Sequence, residues 1–198
     1  MITEFRPRIV GIGGTLRPGS SSERALRYAL SCCEEHGATT ELFTGDAIDL
    51  PAYDPESPAK TAKVERLIES LRTSHGVVVG SPGYHGSVSG IVKNALDYAE
   101  GLRNDQPAYF EGRAVGLIAC AQGWQAAGTT LTTLRQIIHA LRGWPTPIGV
   151  AFNTSTQPFG DSDIPSDPAL ARQLELLAEQ VTDFLLMRHR ASAESVAK

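Results

Sequence analysis

Cysteine is scarce in this chain: three in 198 residues, two of them adjacent. A disulfide between the neighbours Cys32 and Cys33 is geometrically awkward. With Cys120 standing alone, the three read as buried thiols of a reducing compartment. There is no CxxC pair, and the histidines at 36, 75, 85, 139 and 189 lack metal-ligand spacing, so no metal site is expected. Lysine and arginine never form a block and the formal net charge is −4, which argues against a nucleic-acid surface. The amino terminus has no signal-peptide apolar stretch. No run approaches the roughly 18 apolar residues of a membrane span, so a cytoplasmic protein with no membrane partner is expected. Nor is there a Ser–His–Asp set or a pair of carboxylates at catalytic spacing, so no side chain is singled out as acid, base or nucleophile.

What the chain does have is enough apolar residues, 41%, for a sizeable core, and a length suited to one α/β domain. Strand-like and helix-like segments alternate. Arg8–Gly13 reads as a buried parallel strand, followed by a Gly14–Gly19 loop. Ser20 and Glu23 then form a capping box that opens a helix toward Cys33. Thr39–Phe43 is the second strand, and Ala62–Leu71 an amphipathic helix. Val77–Gly80 is the third strand, and Gly90–Leu102 the next helix. Val115–Cys120 is the fourth strand; a Gly123–Gly128 loop and a Thr130–Leu141 helix follow. Ile148–Phe152 is the fifth strand. Leu170, Leu174, Leu177, Val181 and Leu185 form the stripe of a closing helix. Residues 1–190 read as one domain and 191–198 as a disordered tail.

Five alternations predict a doubly wound parallel sheet with helices on both faces. Rossmann and flavodoxin-like orders compete. Five strands favour the flavodoxin-like order 2-1-3-4-5, with a ligand crevice beside the first strand.

Two loops at the carboxyl ends of strands carry the chemistry. The first, Gly13 to Ser22, gathers four hydroxyls and Arg17 where backbone N–H groups and a helix dipole favour an anion. It fails the dinucleotide pattern GxGxxG, which has Leu16 at its last position, and the P-loop, which has Ser20 where Lys is needed. A guanidinium with hydroxyls suits a terminal phosphate instead. The second is Ser81-Pro-Gly-Tyr-His-Gly-Ser-Val-Ser-Gly90. Its glycines at 83, 86 and 90 permit close approach of a flat ligand, and Pro82 stiffens the turn. Backbone N–H groups of Tyr84 to Ser87 are then free to donate to the ligand's edge.

The second loop, with the helix start Ile91 to Asp97, resembles the flavin loop of the NADPH-dependent FMN reductases, a family with the flavodoxin-like fold. Gly14 to Ser20 is similar to that family's G-[ST]-x-R-x-x-S phosphate loop. The resemblance spans roughly Arg8 to Leu141. It implies that Thr15, Arg17, Ser20 and Ser22 hold the FMN phosphate, and that Pro82, Gly83, Tyr84, His85, Gly86 and Ser87 lie along the flavin ring. Gln122, Gly123 and Trp124 would form the other lip of the crevice. Tyr84 either stacks on the ring or lines its rim. His85 is read as a backbone-bonding residue, and Trp124 as a wall of the nicotinamide pocket or an interface residue.

The activity implied is hydride transfer from NADPH or NADH to FMN, with reduced flavin passing to a partner such as a flavin-dependent monooxygenase. Arg103 and Arg113 are candidate partners for a 2′-phosphate. The alternatives are an FMN-containing quinone, azo-dye or chromate reductase, and an electron-transfer flavodoxin. A homodimer or homotetramer is implied too; the polar Arg103–Gly112 segment, with Tyr109 and Phe110 expected to be exposed on it, is the candidate contact.

Overall fold

The computed structural model describes residues 5–196, with side chains described through Glu194. Seven strands and five α-helices follow in chain order. The strands are β1 (Arg8–Gly13), β2 (Thr39–Phe43), β3 (Gly76–Tyr84), β4 (Ser87–Val88), β5 (Ala114–Ala121), β6 (Trp144–Pro145) and β7 (Val150–Asn153). The helices are α1 (Ser21–Glu35), α2 (Ala62–Thr73), α3 (Gly90–Asp97), α4 (Trp124–Ala140) and α5 (Pro168–Val196).

The main sheet is parallel and runs β2-β1-β3-β5-β6, with β7 also pairing with β5. The order is that of a flavodoxin-like sheet, with the fifth position divided between two short pieces. Ala114 and Val115 pair with β6, and Ile118 to Ala121 pair with β7. Pro145 and Pro147 explain the division, because proline cannot donate to a ladder. The break between the two pieces is bridged by side chains. Arg135 donates to the carbonyls of Thr146 and Pro147, and Gln180 Oε1 accepts from the Ile148 N–H.

Strand residues alternate between two cores, as a pleat of period two requires. Val77 and Val79 face one core with Leu67 and Leu71 of α2, Ala95 of α3 and Leu134 of α4. Val78 faces the other with Leu26 and Ala29 of α1 and Leu174 and Leu177 of α5. Helices thus cover both faces, and all the carboxyl ends of the parallel strands point to one edge.

Several elements depart from the sequence reading. The third strand runs on through Pro82 to Tyr84, and the segment read as an irregular loop is a hairpin: Gly83 pairs with Val88, and Tyr84 with Ser87. Its two turn residues, His85 and Gly86, have φ of 52° and 84°. Positive φ at both central positions is the two-residue turn that matches strand twist. Helix α4 begins at Trp124, so the expected Gly123–Gly128 loop is its first turn. Gly123 caps it with backbone alone, which leaves no capping residue in the sequence to read. The expected Gly90–Leu102 helix tightens to a 3₁₀ turn from Tyr98. Helix α5 continues past Arg190 to Val196; residues 197–198 lie outside the described residues. Phe110, expected as an exposed contact, is fully buried in the core, with its N–H bonded to the Leu141 carbonyl. No helix among the described residues is long and apolar enough to cross a membrane.

Candidate functional site

At the carboxyl edge a cavity of about 510 Å³ lies between the ends of β1, β3, β5 and β7. Its floor at the start of α1 comes from Thr15, Arg17, Ser20, Ser21 and Ser22. The β3 wall is Pro82, Gly83 and Tyr84. The opposite side is Cys120, Ala121 and Gln122, with Thr154 after β7. The structure therefore brings together eight of the expected site residues: Thr15, Arg17, Ser20, Ser22, Pro82, Gly83, Tyr84 and Gln122. His85, Gly86 and Ser87 sit at or beside the hairpin tip and do not line it. Gly123 and Trp124 follow Gln122 in the chain and do not line it either; Trp124 is 64% exposed.

Local bonds shape the phosphate-type loop. Thr15 Oγ1 accepts from the Arg17 N–H and donates to the Arg17 carbonyl, each at 3.1 Å, which folds the loop tip. Ser20 caps α1, its Oγ accepting from the Glu23 N–H at 3.4 Å and lying 3.3 Å from Ser22 Oγ. Glu23 completes the box one residue earlier than the pattern predicts, accepting from the Gly19 N–H, and is also bound by Arg27. Three of the hydroxyls are thus engaged in building the loop. The guanidinium of Arg17 and the hydroxyl of Ser21 make no side-chain bond among the described residues. Ser21, missed in the sequence reading, is the first residue of α1; its place in the Ser20–Ser22 run was the available signal.

No aspartate or glutamate lines this cavity. An anion there meets a guanidinium, hydroxyls and the N-terminal N–H groups of a fifteen-residue helix, with no opposing carboxylate. That donor set fits the phosphate of FMN. Above it, Gly83 earns its place by packing: a Cβ there would stand 2.6 Å from Thr130 Oγ1 and 3.0 Å from the Ala126 carbonyl. The glycine brings β3 against α4, rather than clearing room for a ligand. Ser81, fully buried, accepts from the Ser89 N–H at 3.0 Å and so ties the hairpin to the start of α3.

Cys120, on the side of the cavity formed by the end of β5, is 3% exposed, and burial pushes its thiol up to about 12, against a smaller lowering by the Ser22 hydroxyl. A neutral thiol is inert as a nucleophile at physiological pH. Thr154, also missed, follows the divided fifth strand, whose carboxyl end could not be placed from the sequence alone. Arg113 precedes β5, at the opposite edge of the sheet, and cannot meet a ligand in this crevice. Arg103 follows the 3₁₀ turn after α3 and pairs with Glu100; it does not line the cavity either. Among the described residues there is no group of three or more His, Cys, Asp or Glu placed to hold a metal.

The model of a family described as NADPH-dependent FMN reductase matches residues 7–157. An FMN-dependent NADPH-azoreductase of Staphylococcus aureus is 28% identical over 149 residues, covering 72% of this chain and 74% of that protein. Among solved structures, the flavoenzyme NAD(P)H:(acceptor) oxidoreductase FerB from Paracoccus denitrificans superposes with a TM-score of 0.73 at 19% identity. That match covers 91% of this chain and 98% of FerB. An NADH:FMN oxidoreductase in its apo form gives 0.68 at 20% identity, over 91% of this chain and 89% of its own.

Proposed function

The chain belongs to the NADPH-dependent FMN reductase family, and on that premise we propose that its crevice takes FMN as an exchangeable substrate. It is an NAD(P)H-dependent flavin oxidoreductase whose cofactors are FMN and NADPH. One observation carries the proposed reading. The hydroxyl and arginine cluster at the start of α1 is continuous with the Pro82–Tyr84 wall, and no carboxylate intervenes.

Arg17 and Ser21, with hydroxyl capacity left on Thr15, Ser20 and Ser22, hold the phosphate. Pro82, Gly83, Tyr84 and Gln122 flank the ring. The hairpin tip at His85 and Gly86 presents backbone N–H groups that its own pairing leaves free, and these stabilise negative charge on the ring edge. FMN, when bound, supplies the hydride-accepting centre for reduced nicotinamide, chemistry that needs ring alignment and no side-chain acid or base. Tyr84 and Trp124, at 54% and 64% exposure, stand open at the mouth and orient the incoming planar ring.

The chain acts as one domain in the cytoplasm, its closing helix running past residue 190, consistent with three free, buried thiols. Reduced flavin passes to a partner such as a flavin-dependent monooxygenase, and the working form is a homodimer or homotetramer. The experiment is NADPH oxidation with and without added FMN, together with the absorbance spectrum of the purified protein. A colourless protein whose turnover requires free FMN is the expected result.

The second reading is an FMN-retaining reductase of azo dyes or quinones, favoured by the Staphylococcus aureus azoreductase at 28% identity. A yellow protein that survives dialysis and reduces such acceptors without free flavin would establish it in place of the first.

A further inference from the structure

A second cavity, of about 410 Å³, opens at the other end of the sheet. It lies among the amino ends of the strands, where Ser74 and His75 precede β3 and Arg113 precedes β5, and is walled by the last turns of α5. β3 and β5 both run from it to the FMN crevice: from Arg113 to Ala121 is eight residues, about 26 Å at the rise of a strand.

Arg113 is the informative residue. The residue lines this cavity and is 7% exposed. Its Nη2 donates to the Arg72 carbonyl at 3.3 Å, while Nη1 is buried with no acceptor at all. Among the described residues no carboxylate lies within 4 Å of it, because Asp105 is taken by Arg72 at 2.9 Å. Burial pulls the Arg113 guanidinium below its ordinary value, against a smaller opposing pull from Asp105. A buried guanidinium stays charged, and a buried charge left unpaired is costly.

A second cation faces the same space. Arg188 of α5 lines it and has no ion pair among the described residues. Its Nη2 comes so near the backbone that a Cβ on Gly112 would stand 3.0 Å away. The acid on the wall, Glu111, leans to Arg142 at 3.6 Å. Arg72, also on the wall, is held by Glu69 and Asp105. The cavity therefore holds two unneutralised guanidiniums and one committed carboxylate.

We propose that this cavity is an oxyanion site in which Arg113 and Arg188 hold a phosphate group, apart from the FMN crevice. Two guanidiniums are the usual partners of phosphate because each presents a planar fork of donors. The space accommodates either free inorganic phosphate or the phosphate end of a small nucleotide, and the chemistry recognised is the same.

The test uses the full chain saturated with FMN, so that the crevice is filled. Inorganic phosphate is titrated against chloride at matched ionic strength, and the melting temperature is followed. At ten times Kd the rise expected for a chain of this size is roughly 3–6 °C. Arg188→Gln, a change on the exposed side of α5, should abolish the rise while FMN affinity and NADPH oxidation stay as they were. Arg113→Gln should do the same; if it fails to fold, the Arg188→Gln result decides. A parallel titration with adenosine monophosphate identifies the source. Stabilisation at concentrations ten-fold or more below those of phosphate, again lost in Arg188→Gln, means a nucleotide-borne phosphate. Equal or weaker stabilisation than phosphate means the free ion. No rise with either probe, or a rise that persists in Arg188→Gln, overturns the assignment.

Discussion

Gly83 is seated directly on Thr130: a methyl group on the glycine would stand 2.6 Å from the threonine hydroxyl oxygen. The contact fixes where the β3–β4 hairpin leaves the sheet, because the Ala126 carbonyl of the same helix closes the space beside it at 3.0 Å. Gly83→Ala should therefore force hairpin and helix apart and cost about 1–3 kcal/mol of stability, the range for overpacking. Urea denaturation would measure it. An alanine variant as stable as the parent would show that α4 yields freely at this point.

Arg17→Ala should weaken FMN binding by about 1.5–3 kcal/mol, the size of a hydrogen bond to a charged group. Riboflavin, which lacks the phosphate, should bind the variant as it binds the parent. Isothermal titration with both ligands checks this, and equal weakening of the two would remove the phosphate from Arg17.

Gly86 is the second residue of the hairpin turn at φ 84°, a conformation that β-branched residues resist. Gly86→Val should strain the turn by about 1–3 kcal/mol and weaken FMN correspondingly, while the far-UV circular dichroism stays native. The preceding His85, at φ 52°, occupies a position that favours asparagine. His85→Asn should keep FMN affinity and leave stability equal or slightly raised. A loss of affinity in that variant would give the imidazole a role beyond the turn.

Glu41 of β2 should shape the acid limb of stability. Burial works to raise its carboxyl, but hydrogen bonds from Ser70, Arg8 and Arg66 outweigh it, and the net shift is downward. Arg8 reaches one oxygen at 2.7 Å and Arg66 the other at 3.1 Å. A carboxyl lowered on folding stabilises the protein above its unfolded value of about 4.3, and that stability is lost as pH falls toward the folded value. Glu41→Gln should lower the melting temperature at pH 7 and narrow the gap to the parent as pH drops below about 4. A gap that holds constant through that range would assign the effect to packing.

Much of the architecture was legible because strand and helix periods are local. Thr39–Phe43 is found at its expected limits, and Ser20 caps α1 as its S-x-x-E pattern predicts. The phosphate-type loop was legible for the same reason, since position after the first strand and residue type both point one way. What escaped depends on distant partners. Phe110 sits in a polar stretch and looks exposed, yet its N–H is held by Leu141, and it packs so closely that a Cβ on Gly143 would be 3.3 Å from it. Trp124 opens a helix that no capping side chain announces. Thr154 reaches the crevice only because the fifth strand resumes at Val150 after its break. The hairpin beyond Gly80 was hidden by Pro82, a residue that breaks most strands but is tolerated where a strand leaves the sheet.

The divided fifth strand also bears on how molecules of this protein behave when crowded together. An uninterrupted border strand offers a row of vacant donors and acceptors onto which another chain can add, the route to fibrils and amorphous clumps. Here the border is cut into pieces of two and four residues. Between them, carbonyls are occupied by Arg135 and an N–H by Gln180, and two prolines contribute no N–H. A neighbouring chain therefore finds too short a template on this side to zip along, and the protein can tolerate high concentration without its sheet being extended from that border.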